Sequence, residues 1–224
     1  MPRAPALRRA SAALLLAACS PSSGEDLKLG EAVDERRLDR SEAVGECGYP
    51  GPGDKGYGTA LGQRIANFSL VDCELQAVEF ADLFCKREDE YGDYNKAILL
   101  SIGAGWCEPC KAETAELTPE VLEPLHDQGL EIVQVLFEDD QAMPPTSSFC
   151  RVWRDELFGE PLGFPVWLDQ SFSWADAFLL DPQSATPVSM LIDANGNIRW
   201  KVEGQNPPDT YEQALLVLAS PYGD

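Results

Sequence analysis

Two cysteines separated by two residues, in Trp106-Cys107-Glu108-Pro109-Cys110-Lys111, can close a small disulfide ring or open to a dithiol. The chemistry they could do is thiol–disulfide exchange. A thiolate attacks a disulfide sulfur, and a second thiol nearby resolves the adduct. The apolar run 97–102 before the pair reads as a strand, and 111–117 after it as a helix. That order places Cys107 at a helix N-terminus, where free backbone N–H groups and the helix dipole favour the thiolate. Pro109 suits the first helical turn, since its φ is already helical and its missing N–H is no loss there. Glu108, inside the ring, brings negative charge to the nucleophile and opposes the dipole, which predicts a reductant over a strong oxidant. A zinc site needs four ligands, and neither a second cysteine pair of this spacing nor a histidine pair is present. The only histidine, His126, is expected to face solvent near a helix end. No metal and no cofactor are expected.

The elements that must position this pair follow from hydrophobic patterning. Residues 65–70 and 76–80 alternate as a strand and its hairpin partner, and 81–85 reads as one helical turn. The helix after the pair is expected to end near Gly129, kinked or shortened by Pro119 and Pro124. Segments 130–137 and 166–168 read as strands, and 148–158 and 173–179 as helices. Two short strands, 186–193 and 198–202, flank a turn at Asn195-Gly196, a strong hairpin signal, and 209–219 closes the chain as a helix. The order predicts an α/β domain over 62–224, with a mixed central sheet flanked by helices and an N-terminal β-hairpin extension.

The chain has 224 residues and a formal charge of −21, which argues against a nucleic-acid surface. Its seven cysteines suit an oxidising compartment. Arg3, Arg8 and Arg9 precede a short apolar stretch, so 1–18 reads as a signal peptide. Leu16-Ala17-Ala18-Cys19 resembles the lipobox of bacterial lipoproteins, which implies cleavage before Cys19 and acylation of that residue. Simple secretion, with Cys19 incidental, is the alternative. Ser20 in place of an aspartate resembles the sorting signal for the outer membrane. Residues 19–61, with few large apolar side chains, read as a flexible tether.

Trp-Cys-X-Pro-Cys after a buried strand, Thr186-Pro187 entering a later strand, a hairpin and a last helix together resemble the thioredoxin fold. The N-terminal hairpin, Glu113 three residues past the second cysteine, and the Asp193–Gly196 turn resemble the TlpA/ResA-type extracytoplasmic thiol-disulfide oxidoreductases of the redoxin superfamily. The resemblance covers roughly residues 62–220. It implies that Cys107 attacks, Cys110 resolves, and Trp106 lies beside them. It also implies that Pro187 is a cis-proline facing the disulfide, with Thr186 and Pro187 shaping a groove for an extended peptide. The implied partners are disulfide-bearing proteins, apocytochrome c among them, a membrane thiol donor of electrons, and the bilayer through Cys19. The implied location is the periplasm. Three departures stand out: Ser101 where thioredoxins carry a buried aspartate, Thr114-Ala115 where relatives often have a proline, and four further cysteines.

Those four, Cys47, Cys73, Cys85 and Cys150, are read as structural disulfides, for which three pairings exist. Cys73 and Cys85 bracket the second strand of the hairpin and its following turn, which favours Cys73–Cys85 and leaves Cys47–Cys150 to fasten the tether to a helix. Glu113 is expected on the helix surface, and Glu138-Asp139-Asp140 in a solvated loop. Two rival functions remain. A thiol peroxidase wants a threonine three residues before its cysteine, where this chain has Ala104. A redox-inert lipoprotein would use the same fold only to bind a partner.

Overall fold

A computed structural model describes residues 58–65, 67–85, 96–172, 185–204 and 207–221. The signal segment, Cys19, Cys47, most of the tether and the helix expected at 173–179 lie outside the described residues. Strand β3 (Ala97–Gly103), buried at every residue, lies inside the sheet. Around it run β1 (Ser69–Asp72), β2 (Ala77–Glu79), β4 (Leu130–Leu136), β5 (Val166–Leu168), β6 (Val188–Asp193) and β7 (Ile198–Glu203). They form one sheet in the order β2-β1-β5-β4-β3-β6-β7. Only β3–β4 and β4–β5 pair in parallel, across helical crossovers, so the sheet is mixed as expected. The hairpin β1–β2 extends it beyond β5.

Alternate residues of the central strands feed two cores. Ile98, Leu100 and Ile102 meet Phe68, Phe80, Phe84 and both cysteines of the pair. Ala97 and Leu99 meet Leu117, Val121 and Leu125 from the helical crossover and Ala214 and Val217 from the last helix. That crossover begins with α2 (Glu108–Glu116) and continues through a π-helical turn, Leu117–Leu122, into α3 (Glu123–Leu125). Pro119 neither ends nor shortens it. Having no N–H, it cannot continue the α ladder, and the wider turn takes over, with the Glu123 N–H bonding to the Thr118 carbonyl. Gly129, at φ 101°, closes the segment in the left-handed conformation that glycine adopts freely. The later helices are α4 (Ser147–Asp155), N-capped by Thr146, and α5 (Pro207–Ala219).

The first strand starts later than its pattern suggested, at Ser69. Arg64 and Ile65 instead pair with the β6–β7 turn, the Ile65 N–H bonding to the Gly196 carbonyl at 2.9 Å. The cysteine pairing also differs from expectation. Cys73 bonds to Cys150, with Cα atoms 5.2 Å apart, and not to Cys85. Cys73 begins the turn of the β1–β2 hairpin, whereas α1 (Asp82–Cys85) follows the opposite end of β2. A strand of three or four residues holds those ends roughly 10 Å apart, beyond the reach of a disulfide. The turn instead lies over α4, where Ser147 Oγ donates to the Cys73 carbonyl. Cys150 is thereby unavailable to Cys47.

Candidate active site

Cys107 and Cys110 are joined, with Cα atoms 5.2 Å apart, at the junction of β3 and α2. Cys107 is the N-cap of α2, in extended conformation, and its Sγ accepts a hydrogen bond from the Cys110 N–H at 3.1 Å. Any negative charge on that sulfur meets the positive end of the helix. Gly103 makes the seat, because a Cβ there would lie 3.0 Å from Cys110 Sγ. The Thr186–Pro187 peptide is cis. It brings Thr186 against the pair: Thr186 Oγ1 donates to Cys107 Sγ at 3.3 Å, and the Thr186 carbonyl lies 3.6 Å from the same sulfur.

Glu113 is not on the surface. It is 1% exposed, and its Oε1 accepts from Ser101 Oγ at 3.1 Å and Ser189 Oγ at 2.7 Å. Helical spacing puts it one turn beyond Cys110. The strand pleat puts Ser101 on the same face as Gly103, about 7 Å along. An acid therefore occupies the buried place that Ser101 leaves without one. The signal was available: Ser101 in β3, Ser189 in β6 and Gln134 in β4 are polar residues flanked on both sides by apolar ones, and each is 1% exposed.

Glu108 lies outside the pair, its side chain 80% exposed, and Lys111 Nζ binds its carboxylate at 2.6 Å. Solvent and that lysine screen its charge, so its expected influence on Cys107 is weaker than sequence alone suggested. Trp106 is 44% exposed at the rim, and its Nε1 donates to Glu138 Oε2 at 2.6 Å. The acidic loop is thus fastened to the site. Asp139 Oδ1 also accepts the N–H groups of Gln141 and Met143, which ties the loop upon itself. Phe137 stands behind Trp106, edge to face at 6.4 Å, and Phe172 packs on Phe137 at 5.0 Å. Neither phenylalanine stands out in the sequence as a site residue. Ala104, three residues before Cys107, is fully buried and carries no hydroxyl.

The geometry can hold a redox-active disulfide at a helix start, with a buried carboxyl below it and a peptide-lined wall above. Among proteins of known activity, the chain is 24% identical to the thiol-disulfide oxidoreductase ResA of Bacillus cereus over 78% of its length and 88% of that protein. It is 28% identical to the thiol:disulfide interchange protein DsbE of Escherichia coli, over 57% of this chain and 60% of that one. The crystal structure of a thiol:disulfide interchange protein of the thioredoxin family from Chlorobium tepidum superposes with a TM-score of 0.51 at 19% identity. That superposition covers 71% of this chain and 96% of the other, and the shared fold is thioredoxin-like. Residues 61–201 match the model of the AhpC/TSA family. The chain belongs to the AhpC/TSA family of thioredoxin-like redoxins.

Proposed function

We propose that this chain is a lipid-anchored, extracytoplasmic thiol-disulfide oxidoreductase that reduces disulfides in other proteins through Cys107 and Cys110. One observation carries the reading: the 107–110 disulfide caps α2 while facing the cis Thr186–Pro187 peptide. In the dithiol form, the Cys107 thiolate attacks a substrate disulfide, and the first substrate sulfur leaves as a thiolate that takes a proton from solvent. Cys110 then loses its proton, which the Glu113 carboxyl takes up. Its thiolate attacks Cys107 Sγ, the second substrate sulfur departs as a thiolate that takes a proton from solvent, and the 107–110 bridge closes. Two electrons pass from the pair to the substrate, and a thiol donor in the membrane returns them. A carboxyl buried one turn from Cys110 opposes extra negative charge there, which favours the disulfide and a reducing couple.

The location draws on three supports. Cys19 stands in a lipobox-like sequence. The Cys73–Cys150 bridge suits an oxidising compartment. The ResA and DsbE relatives are thiol-disulfide enzymes. The outer membrane is the favoured anchor, and apocytochrome c is one substrate that the redoxin resemblance implies.

The test is a titration of the mature protein against glutathione and dithiothreitol, with every cysteine mapped by mass spectrometry. A 107–110 potential near that of thioredoxin, roughly −270 mV, is expected; a value nearer −120 mV overturns the reductant reading. The family match gives peroxide reduction some claim. Oxidation by hydrogen peroxide far faster than by disulfides would establish it, and the absence of a hydroxyl at Ala104 speaks against it. Full function in a Cys107→Ser/Cys110→Ser variant would favour a binding role.

A further inference from the structure

Gln134, Ser101 and Ser189 are register neighbours across β4, β3 and β6 and face α2. The two serines serve Glu113. Gln134 belongs to a separate line. Trp153 Nε1 donates to Gln134 Oε1, Gln134 Nε2 donates to Thr114 Oγ1, and Thr114 Oγ1 donates to the Cys110 carbonyl, each at 2.7 Å. Gln134 and Trp153 are 1% exposed and Thr114 is fully buried. All three donations point the same way, so their dipoles align head to tail with positive ends toward Cys110. In a dry interior such a chain polarises itself. The far end is anchored as well, because Trp153 lies one helical turn beyond Cys150, which the second disulfide fastens to the β1–β2 hairpin.

We propose that Gln134, acting through Thr114, is a positioning residue for the resolving cysteine: the line from Trp153 holds the Cys110 peptide and biases the 107–110 couple toward its dithiol. Reduction replaces a neutral disulfide by thiols, one of which ionises, so negative charge collects at the start of α2. A carbonyl that is already donated to by a polarised hydroxyl presents less negative potential to that charge. The reduced form therefore gains more from the line than the oxidised form does. The line also restrains a local tendency. A threonine bonded back to the carbonyl four residues earlier bends a helix, and Gln134 fixes where that hydroxyl sits.

The inference rests on Cys107 and Cys110 being the exchanging couple, which the parent protein's own equilibrium with glutathione tests separately. Thr114→Val removes the hydroxyl at nearly constant shape, and Thr114→Ser keeps it. Thr114→Val is expected to shift the equilibrium about threefold or more toward the disulfide, a potential about 14 mV more negative at 29.6 mV per tenfold. Thr114→Ser should stay within roughly 1.5-fold of the parent. Loss of stability common to both redox forms cancels in this ratio, so a purely structural role leaves it unmoved. Trp153→Phe cuts the line at its far end without touching α2. It should move the equilibrium in the same direction by a smaller factor, and it decides the matter if Thr114→Val fails to fold. A parent that cycles while these variants match it overturns the inference, as does a Thr114→Ser shift equal to that of Thr114→Val. A parent that never cycles sinks the functional reading, and this inference with it.

Discussion

Replacing Cys73 and Cys150 by alanine together should cost this protein a large part of its stability while leaving the 107–110 pair in place. The bridge spans 77 residues of sequence. In the chain-entropy description, opening a loop of that length returns roughly 15 cal/mol/K to the unfolded chain, about 4.5 kcal/mol at 25 °C. Measured bridges often deliver less, so a loss of about 3–5 kcal/mol is expected. For a domain of this size that is a fall of roughly 6–20 °C in Tm. Both sulfurs lie in a fully buried cluster with Leu136, Trp153, Val166 and Leu168, so the deletion also leaves a small void. The assay is urea unfolding of parent and variant with 107–110 oxidised in both. A second arm uses dithiothreitol without denaturant. Exchange requires a thiolate to reach sulfur, so 107–110 should open at the Thr186 wall while 73–150 stays closed until the protein unfolds. A variant within about 1 kcal/mol of the parent, or a 73–150 bridge reduced as fast as 107–110 in the folded protein, would refute this account.

Glu113→Gln keeps a carbonyl oxygen for Ser101 and Ser189 but loses the proton acceptor. The resolving step should slow by about 10²-fold or more, with mixed disulfide accumulating in single turnover, and an unchanged rate would remove Glu113 from the chemistry. Gly105→Ala places a Cβ 2.4 Å from Phe149 Cζ and 2.7 Å from the Asp139 carbonyl carbon. Backbone cannot yield there, so a loss of about 1–3 kcal/mol is expected in denaturant melts, and a neutral result would contradict the packing of the acidic loop. Burial pushes the Lys201 ammonium below its ordinary 10.5. The unfolded chain thus binds the extra proton, so the lysine's contribution to stability rises with pH in the window below 10.5. Unfolding profiles of parent and Lys201→Met should diverge there, the parent gaining relative to the variant, and parallel profiles would count against the burial.

The chemistry was legible because its causes are local. Two cysteines at the junction of an apolar strand and a helix mark the proposed exchange chemistry and the helix end that would carry it, and Asn195-Gly196 marks a hairpin within a few residues. The fate of Glu113 was not legible from its own helix. Periodicity shows that it lies on the side of Cys110, but whether that side meets water or protein depends on β3 and β6. Their two serines are 88 positions apart in sequence and become cross-strand partners only when the sheet forms. The same holds for Gln134, whose meaning depends on a threonine and a tryptophan from different helices.

Sequence by itself determined the cysteine pair at the strand–helix junction, the α/β order of elements and the redoxin resemblance, since each rests on neighbours in the chain or on a fixed period. Only the tertiary structure decided which cysteines outside the pair bond. Four thiols allow three pairings, and the one that sequence favoured, Cys73–Cys85, is not the one that forms. A disulfide forms only where backbone geometry brings two Cα atoms within about 7 Å. Here the hairpin turn delivers Cys73 to α4, because the strand length carries the chain away from Cys85.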